Sequence, residues 1–178
     1  WQAMNKAGEG VGDALLRDMR ELRTIPHRPR LLALVGKGHN GGDALIATKR
    51  FLRTIPTARA VVVSVAKWED CRPLTIRAWE ELKELAEKRI TEIHLDSDIE
   101  SNLSEIRQCM ASESGFDASI DGLLGMQAKL PLRSPLPELI TFLNEEADIR
   151  VRCAVDLPTG ITEEVSDNPL RADFTYST

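Results

Sequence analysis

An acid or an amide with glycine one to four residues further on recurs three times along this 178-residue chain, each time just after an apolar run. The first is Gly36-Lys37-Gly38-His39-Asn40-Gly41-Gly42-Asp43, after 31–35. The second is Asp121-Gly122-Leu123-Leu124-Gly125, after 116–120. The third is Asp156-Leu157-Pro158-Thr159-Gly160, after 151–155. A single strand-end Asp is more often a cap or a turn former than a catalytic group. Three on one edge, each close to a residue that lets backbone approach closely, point instead to a site. The Asp121 carboxylate, the Asn40 amide and the Thr159 hydroxyl are oxygen ligands of the kind hard cations take. With one formal negative charge among them, a monovalent ion such as potassium suits the set better than magnesium. A plain hydrogen-bond network suits it equally well.

Bringing these groups to one edge takes a sheet of parallel strands. Apolar periodicity predicts a helix over 3–22, diluted by Gly8, Gly10 and Gly12, and Pro26 and Pro29 follow it. A strand over 31–35 leads to a helix over 43–53, then a β-branched strand over 60–65. A helix over 74–88 carries Ile76, Trp79, Leu82 and Leu85 on one face. Next come a strand over 90–95 and a helix marked by Ile99, Leu103, Ile106 and Met110. Strands over 116–120, 151–155 and 172–177, with a helix over 135–146, complete the order. Such alternation is the pattern of a parallel α/β sheet covered on both faces, with ligands outside the carboxyl ends of its strands. The length suits one domain, and no repeat or linker divides it.

Composition excludes several classes. Net charge is −5, and the 23 Lys and Arg form no basic stripe, against a nucleic-acid surface. No apolar run reaches membrane-spanning length. Cys71, Cys109 and Cys153 are odd in number and far apart, which predicts reduced thiols in a cytoplasmic protein rather than a disulfide framework or a zinc site. Gly36, Gly38 and Gly41 satisfy G-x-G-x-x-G, the dinucleotide fingerprint. Asp43 is expected at the start of the following helix, where it would repel a pyrophosphate, and no acid stands at the right distance for the ribose. Lys37 is not followed by Ser or Thr as a phosphate loop requires.

The three motifs together resemble the YjeF N-terminal-type family, whose enzymes are the NAD(P)H-hydrate epimerases. Gly36 to Leu45 is similar to the family's G-x-G-N-N-G-G-D-G-L. Asp121-Gly122-Leu123-Leu124-Gly125-Met126-Gln127-Ala128-Lys129-Leu130-Pro131-Leu132 follows D-A-L-F-G-T-G-L-x-R-P-L without a gap, and Ala154-Val155-Asp156-Leu157-Pro158-Thr159-Gly160 resembles A-V-D-I-P-S-G. Arg171-Ala172-Asp173 and the Met4 to Gly8 stretch also suit the family. His39 stands for the first Asn, Ala44 for a Gly, Met126-Gln127 for Thr-Gly, and Thr159 for Ser with its hydroxyl kept.

The resemblance implies a Rossmann-like three-layer α/β/α sandwich with a mostly parallel sheet. It implies interconversion of the R and S forms of NADH or NADPH hydrated at nicotinamide C6, as metabolite repair. By motif, Asn40, Asp121 and Thr159 would bind potassium. His39, Asn40, Gly41, Gly42, Asp43, Gly125, Met126, Gln127, Ala128, Lys129, Leu130 and Pro131 would line the substrate, and Asp156 would be the acid-base group at the reacting carbon. A nucleotide-dependent dehydratase acting on the S form, fused or separate, and a homodimer are the implied partners. The chain, starting at Trp1 inside the family's first helix, is expected to be trimmed or part of a larger bifunctional protein. A non-catalytic binding or dimerising scaffold of the same fold is the alternative.

Overall fold

In the computed structural model, which describes residues 1–112, 114–162 and 165–177, the alternating pattern folds into a six-stranded sheet. Strands β1 (Arg30–Val35), β2 (Arg59–Ser64), β3 (Ile90–His94), β4 (Ala118–Gly122), β5 (Arg152–Val155) and β6 (Phe174–Tyr176) lie in the order β3-β2-β1-β4-β5-β6. Every neighbouring pair is parallel. Parallel strands covered on both faces read as continuous apolar runs, and all six residues of β1 are buried.

Helices α1 (Gln2–Leu22), α2 (His39–Thr54) and α3 (Pro73–Ala86) cover one face, with Leu15, Leu45, Phe51 and Leu82 against Leu31, Ala33, Val35 and Val62. Helices α4 (Ile99–Ala111) and α5 (Leu136–Glu145) cover the other, with Ile106, Leu139 and Phe142 against Leu32, Leu34 and Val63. The result is the Rossmann-like sandwich that the motifs imply. Gly8 and Gly12 weaken α1 as a helix but let it lie close on α2. A β-carbon at Gly8 would stand 2.6 Å from the Ile46 Cβ, and one at Gly12 2.8 Å from the Arg50 Cβ. Buried Lys49 ties three helices together, donating to Asn5 on α1 and to Glu81 on α3 at 2.6 Å. Tyr176 donates to Asp18 at 2.7 Å and pins the edge strand to α1.

Most element ends lie within one or two residues of the pattern in the sequence, and three differences bear on the site or the sheet edge. β4 spans 118–122 rather than 116–120, leaving Phe116 in an isolated bridge with Ile149, so Asp121 lies inside the strand. β6 is shorter than 172–177, because Asp173 turns to accept a hydrogen bond from the Arg152 amide. Most consequential, α2 begins at His39, four residues before the expected 43. Strand order reverses between β1 and β4. A ligand crevice belongs where their carboxyl ends diverge.

Candidate functional site

The loops that leave β1 and β4 meet at that reversal. Gly36 N–H donates to the Gly122 carbonyl at 3.1 Å, and a β-carbon at Gly36 would lie 1.8 Å from the Leu123 oxygen. A β-carbon at Gly41 would lie 2.0 Å from the Gly36 oxygen. These glycines therefore serve contact between the protein's own loops. That differs from the close approach to a ligand that their motif suggests. The contact also explains the early start of α2. His-Asn-Gly-Gly has poor intrinsic helix propensity, but packing against Gly36 and Gly122 holds the first turn. Asp43 consequently sits one turn into the helix, buried, and the repulsion expected of it at the helix start does not apply.

Asn40, Asp121 and Thr159 do come together. Asp121 Oδ2 accepts from the Thr159 amide at 2.7 Å, and Oδ1 from the Thr159 hydroxyl at 2.8 Å and the Leu123 amide at 3.1 Å. Leu124 links the other two: its amide donates to Thr159 Oγ1 and its carbonyl accepts from Asn40 Nδ2, each at 3.3 Å. Asn40 Nδ2 also donates to the Val155 carbonyl at 3.1 Å. Burial raises the Asp121 carboxyl to about 6, although the three hydrogen bonds pull the other way. A carboxylate has about four acceptor positions, and these bonds fill three of them. Rotating the Asn40 amide by half a turn would present its oxygen where carbonyls already converge, an arrangement a cation would stabilise. The donor set fits a weakly demanding oxygen-seeking ion. Among the described residues, no group of three or more His, Cys, Asp or Glu converges as a metal site.

Asp156 follows β5 with φ at 62°, in the left-handed region that a non-glycine residue seldom occupies. The Leu157 amide donates to the Val155 carbonyl at 2.8 Å around it, a tight γ-turn of the strained hand. The Asp156 amide is held by the Tyr176 carbonyl at 2.9 Å. Strain of this kind persists where surrounding structure over-determines it, as at sites that need one side-chain direction.

Asp156 lines a cleft of about 890 Å³ together with His39, Asn40, Asp43, Gly125, Met126, Gln127 and Ala128. That volume lies within the range of small-molecule and cofactor sites. Gly41 and Gly42 form the packed floor of α2, with Gly42 under the Met4 side chain. Lys129 is exposed, and Leu130 and Pro131 line a neighbouring groove with Pro137 and Thr141. The proposed substrate loop is thus split, its first half on the cleft and its second half turned away. Met126, 70% exposed, stands on the rim.

Sequence reasoning missed several lining residues. Trp1, Ala3, Met4 and Ala7 close one side from α1, and Arg72 and Leu74 come from the start of α3. Arg72 Nη1 lies 3.3 Å from His39 Nε2, and its amide donates to the Lys37 carbonyl. Its position just past the carboxyl end of β2 was the available signal. Asp43 was noticed for its place in a motif, not for what encloses it. Its carboxyl is raised to about 7, first by burial and then by the Asp156 charge. One of its oxygens is sealed from solvent with no hydrogen-bond partner.

Strand order, reversal point and an acid-lined cleft at the reversal define an α/β protein of the Rossmann-like class. The chain belongs to the family described as YjeF-related protein N-terminus, whose model matches residues 2–178. A 64-residue stretch is 41% identical to the NAD(P)H-hydrate epimerase of Rhodopirellula baltica, covering 34% of this chain and 25% of that protein. The crystal structure of yeast ynu0 superposes with a TM-score of 0.67 at 21% identity, over 89% of this chain and 61% of the yeast chain. The match therefore spans under two thirds of the length of either, 25% of the first and 61% of the second. Among the described residues, no helix is long and apolar enough to cross a membrane.

Proposed function

We propose that the protein is an epimerase that interconverts the R and S forms of NADH and NADPH hydrated at C6 of the nicotinamide ring. The observation that carries this reading is the meeting of all three motif loops on one cleft, with Asp156 held on its wall in a strained turn. Family membership and the stretch shared with a named epimerase support it.

The substrate's C6 bears a hydroxyl and the ring nitrogen. Protonating the hydroxyl lets the nitrogen lone pair expel water, leaving a planar C6=N1 cation that water can re-enter from either face. On this reading Asp156 is the carboxyl group at the reacting carbon, giving a proton to the departing hydroxyl or taking one from the returning water. Met4, Ala7, Leu74 and Leu123 give the cleft an apolar wall against which the ring would pack. Asn40, Asp121 and Thr159 would hold a potassium ion, which when bound would supply fixed positive charge and order the loops. A dehydratase that consumes the S form is the expected partner, in a homodimeric protein working in the cytoplasm, where three free cysteines stay reduced.

The test is to add the protein to unequal mixtures of R and S hydrates, with and without potassium, and to follow both by chromatography. Relaxation to a common ratio supports the epimerase. Unchanged ratios would move the assignment to a binding scaffold.

A further inference from the structure

Of the two carboxyl groups on the cleft, Asp43 is the more unusual. Its residue is only 5% exposed, yet it lines the same cleft as Asp156. Oδ1 is buried without any donor, which leaves Oδ2 as the oxygen through which the carboxyl meets the cleft. An ionised carboxylate with one oxygen dry and unpartnered is costly, whereas a neutral carboxyl tolerates a bare carbonyl oxygen far better. Nothing in the fold of α2 needs an acid there. The position shares its helix face with the buried Ile46 and Ala47, and an apolar residue would bury more cheaply.

The charged surroundings agree. On its own helix His39 lies at the cleft mouth, and Lys49 is engaged by Glu81 and Asn5. The first loop contributes Lys37 and the start of α3 contributes Arg72, both exposed. α1 presents Met4 and Ala7 to the cleft, with no charge. At the ends of β4 and β5 stand Asp121, engaged by Thr159, and Asp156. Asp156 is the charged group that acts on Asp43, and it acts against ionisation. A sealed carboxyl and a second carboxyl on the wall of one cleft are the arrangement that acid-base pairs use.

On the epimerase reading of the site, we propose that Asp43 is a second catalytic carboxyl, the proton donor to the leaving hydroxyl, with Asp156 as the base for the returning water. The step balances as follows. Asp43 gives its proton to the C6 oxygen, the C6–O bond breaks with its electron pair leaving on water, and the N1 lone pair forms C6=N1. Water then adds to the opposite face of C6 and loses a proton to Asp156. Asp43 ends ionised and Asp156 protonated, and solvent exchange restores the starting pair. No oxidant or further reactant is consumed.

The test compares wild type with Asp43→Asn and Asp43→Glu, using separated R and S hydrates in constant potassium. Asn keeps the size and a hydrogen-bond donor but cannot transfer a proton. It should leave KM within about 3-fold and lower kcat by about 10²- to 10⁴-fold, with partial recovery in Glu. Wild-type kcat should also fall as pH rises past about 7, where the donor is lost, and that limb should vanish from the residual activity of Asp43→Asn. A kcat within about 3-fold of wild type in Asp43→Asn, or an unchanged alkaline limb, would overturn the role of Asp43 while leaving the epimerase intact. A wild-type protein that leaves both hydrates unchanged would overturn the epimerase reading, and the role of Asp43 with it.

Discussion

Replacing Asp43 by Asn should stabilise the protein at neutral and alkaline pH, although the residue is buried in the first half of α2. Burial and then Asp156 raise its carboxyl from 3.8 to about 7. The gap is about 3 units, which at about 1.4 kcal/mol each gives an upper figure of about 4 kcal/mol. Water in the cleft screens part of this, so about 2–3 kcal/mol is expected. The sign follows from proton binding. The folded chain holds this proton more tightly than the unfolded one, so the stabilisation is complete below about pH 4. It is lost as pH climbs through about 7. Asn stays neutral at every pH. The difference in unfolding free energy should therefore be near its minimum at about pH 4 and grow by about 2–3 kcal/mol in favour of Asn by about pH 8. Urea unfolding of both proteins across that range measures it. A constant offset from the amide's own hydrogen bonding would leave this growth untouched. Parallel curves, or a variant that loses ground as pH rises, would refute the reasoning.

Three further perturbations follow from the same geometry. Thr159→Val removes the donor to Asp121 and the acceptor for the Leu124 amide, and should cost about 1–3 kcal/mol in urea unfolding while abolishing any potassium-induced rise in melting temperature. Gly36→Ala places a methyl group 1.8 Å from the Leu123 oxygen, so the β1 and β4 loops must part. A loss of about 3 kcal/mol or more is expected, and wild-type stability would mean that the loop contact is dispensable. Asp156→Asn should keep the circular dichroism of the wild type yet lose epimerisation by about 10²-fold or more. Near wild-type exchange in that variant would remove Asp156 from the chemistry.

Much of this was legible in the sequence for a physical reason. Parallel strands buried on both faces leave long apolar runs, and β1 and β2 were plain in 31–35 and 60–65. The loops after β1, β4 and β5 stood out because all three carry an acid or amide close to glycine on the same edge of the sheet, where a single one would read as a cap or turn. Local signals failed where distant packing overrides them. His39 to Gly42 reads as a loop until Gly36 and Gly122 close on it, and only the fold makes it helix. Gly8 and Gly12 read as defects until Ile46 and Arg50 come up against them. Asp43 carries no mark in the sequence of a sealed oxygen or of a carboxylate neighbour 113 residues away along the chain. The split of the 125–131 loop between cleft and neighbouring groove is likewise a matter of chain path, which the motif does not encode.

The most direct measurement starts from a single epimer. Purified R hydrate of NADH or NADPH is incubated with the wild-type protein in potassium buffer, and the S form is quantified over time against a protein-free control. Protein-dependent growth of the S form to a fixed R-to-S ratio, reached equally from pure S hydrate, is the expected result. An R hydrate that persists at the rate of the protein-free control would contradict an epimerase and leave the cleft as a binding site.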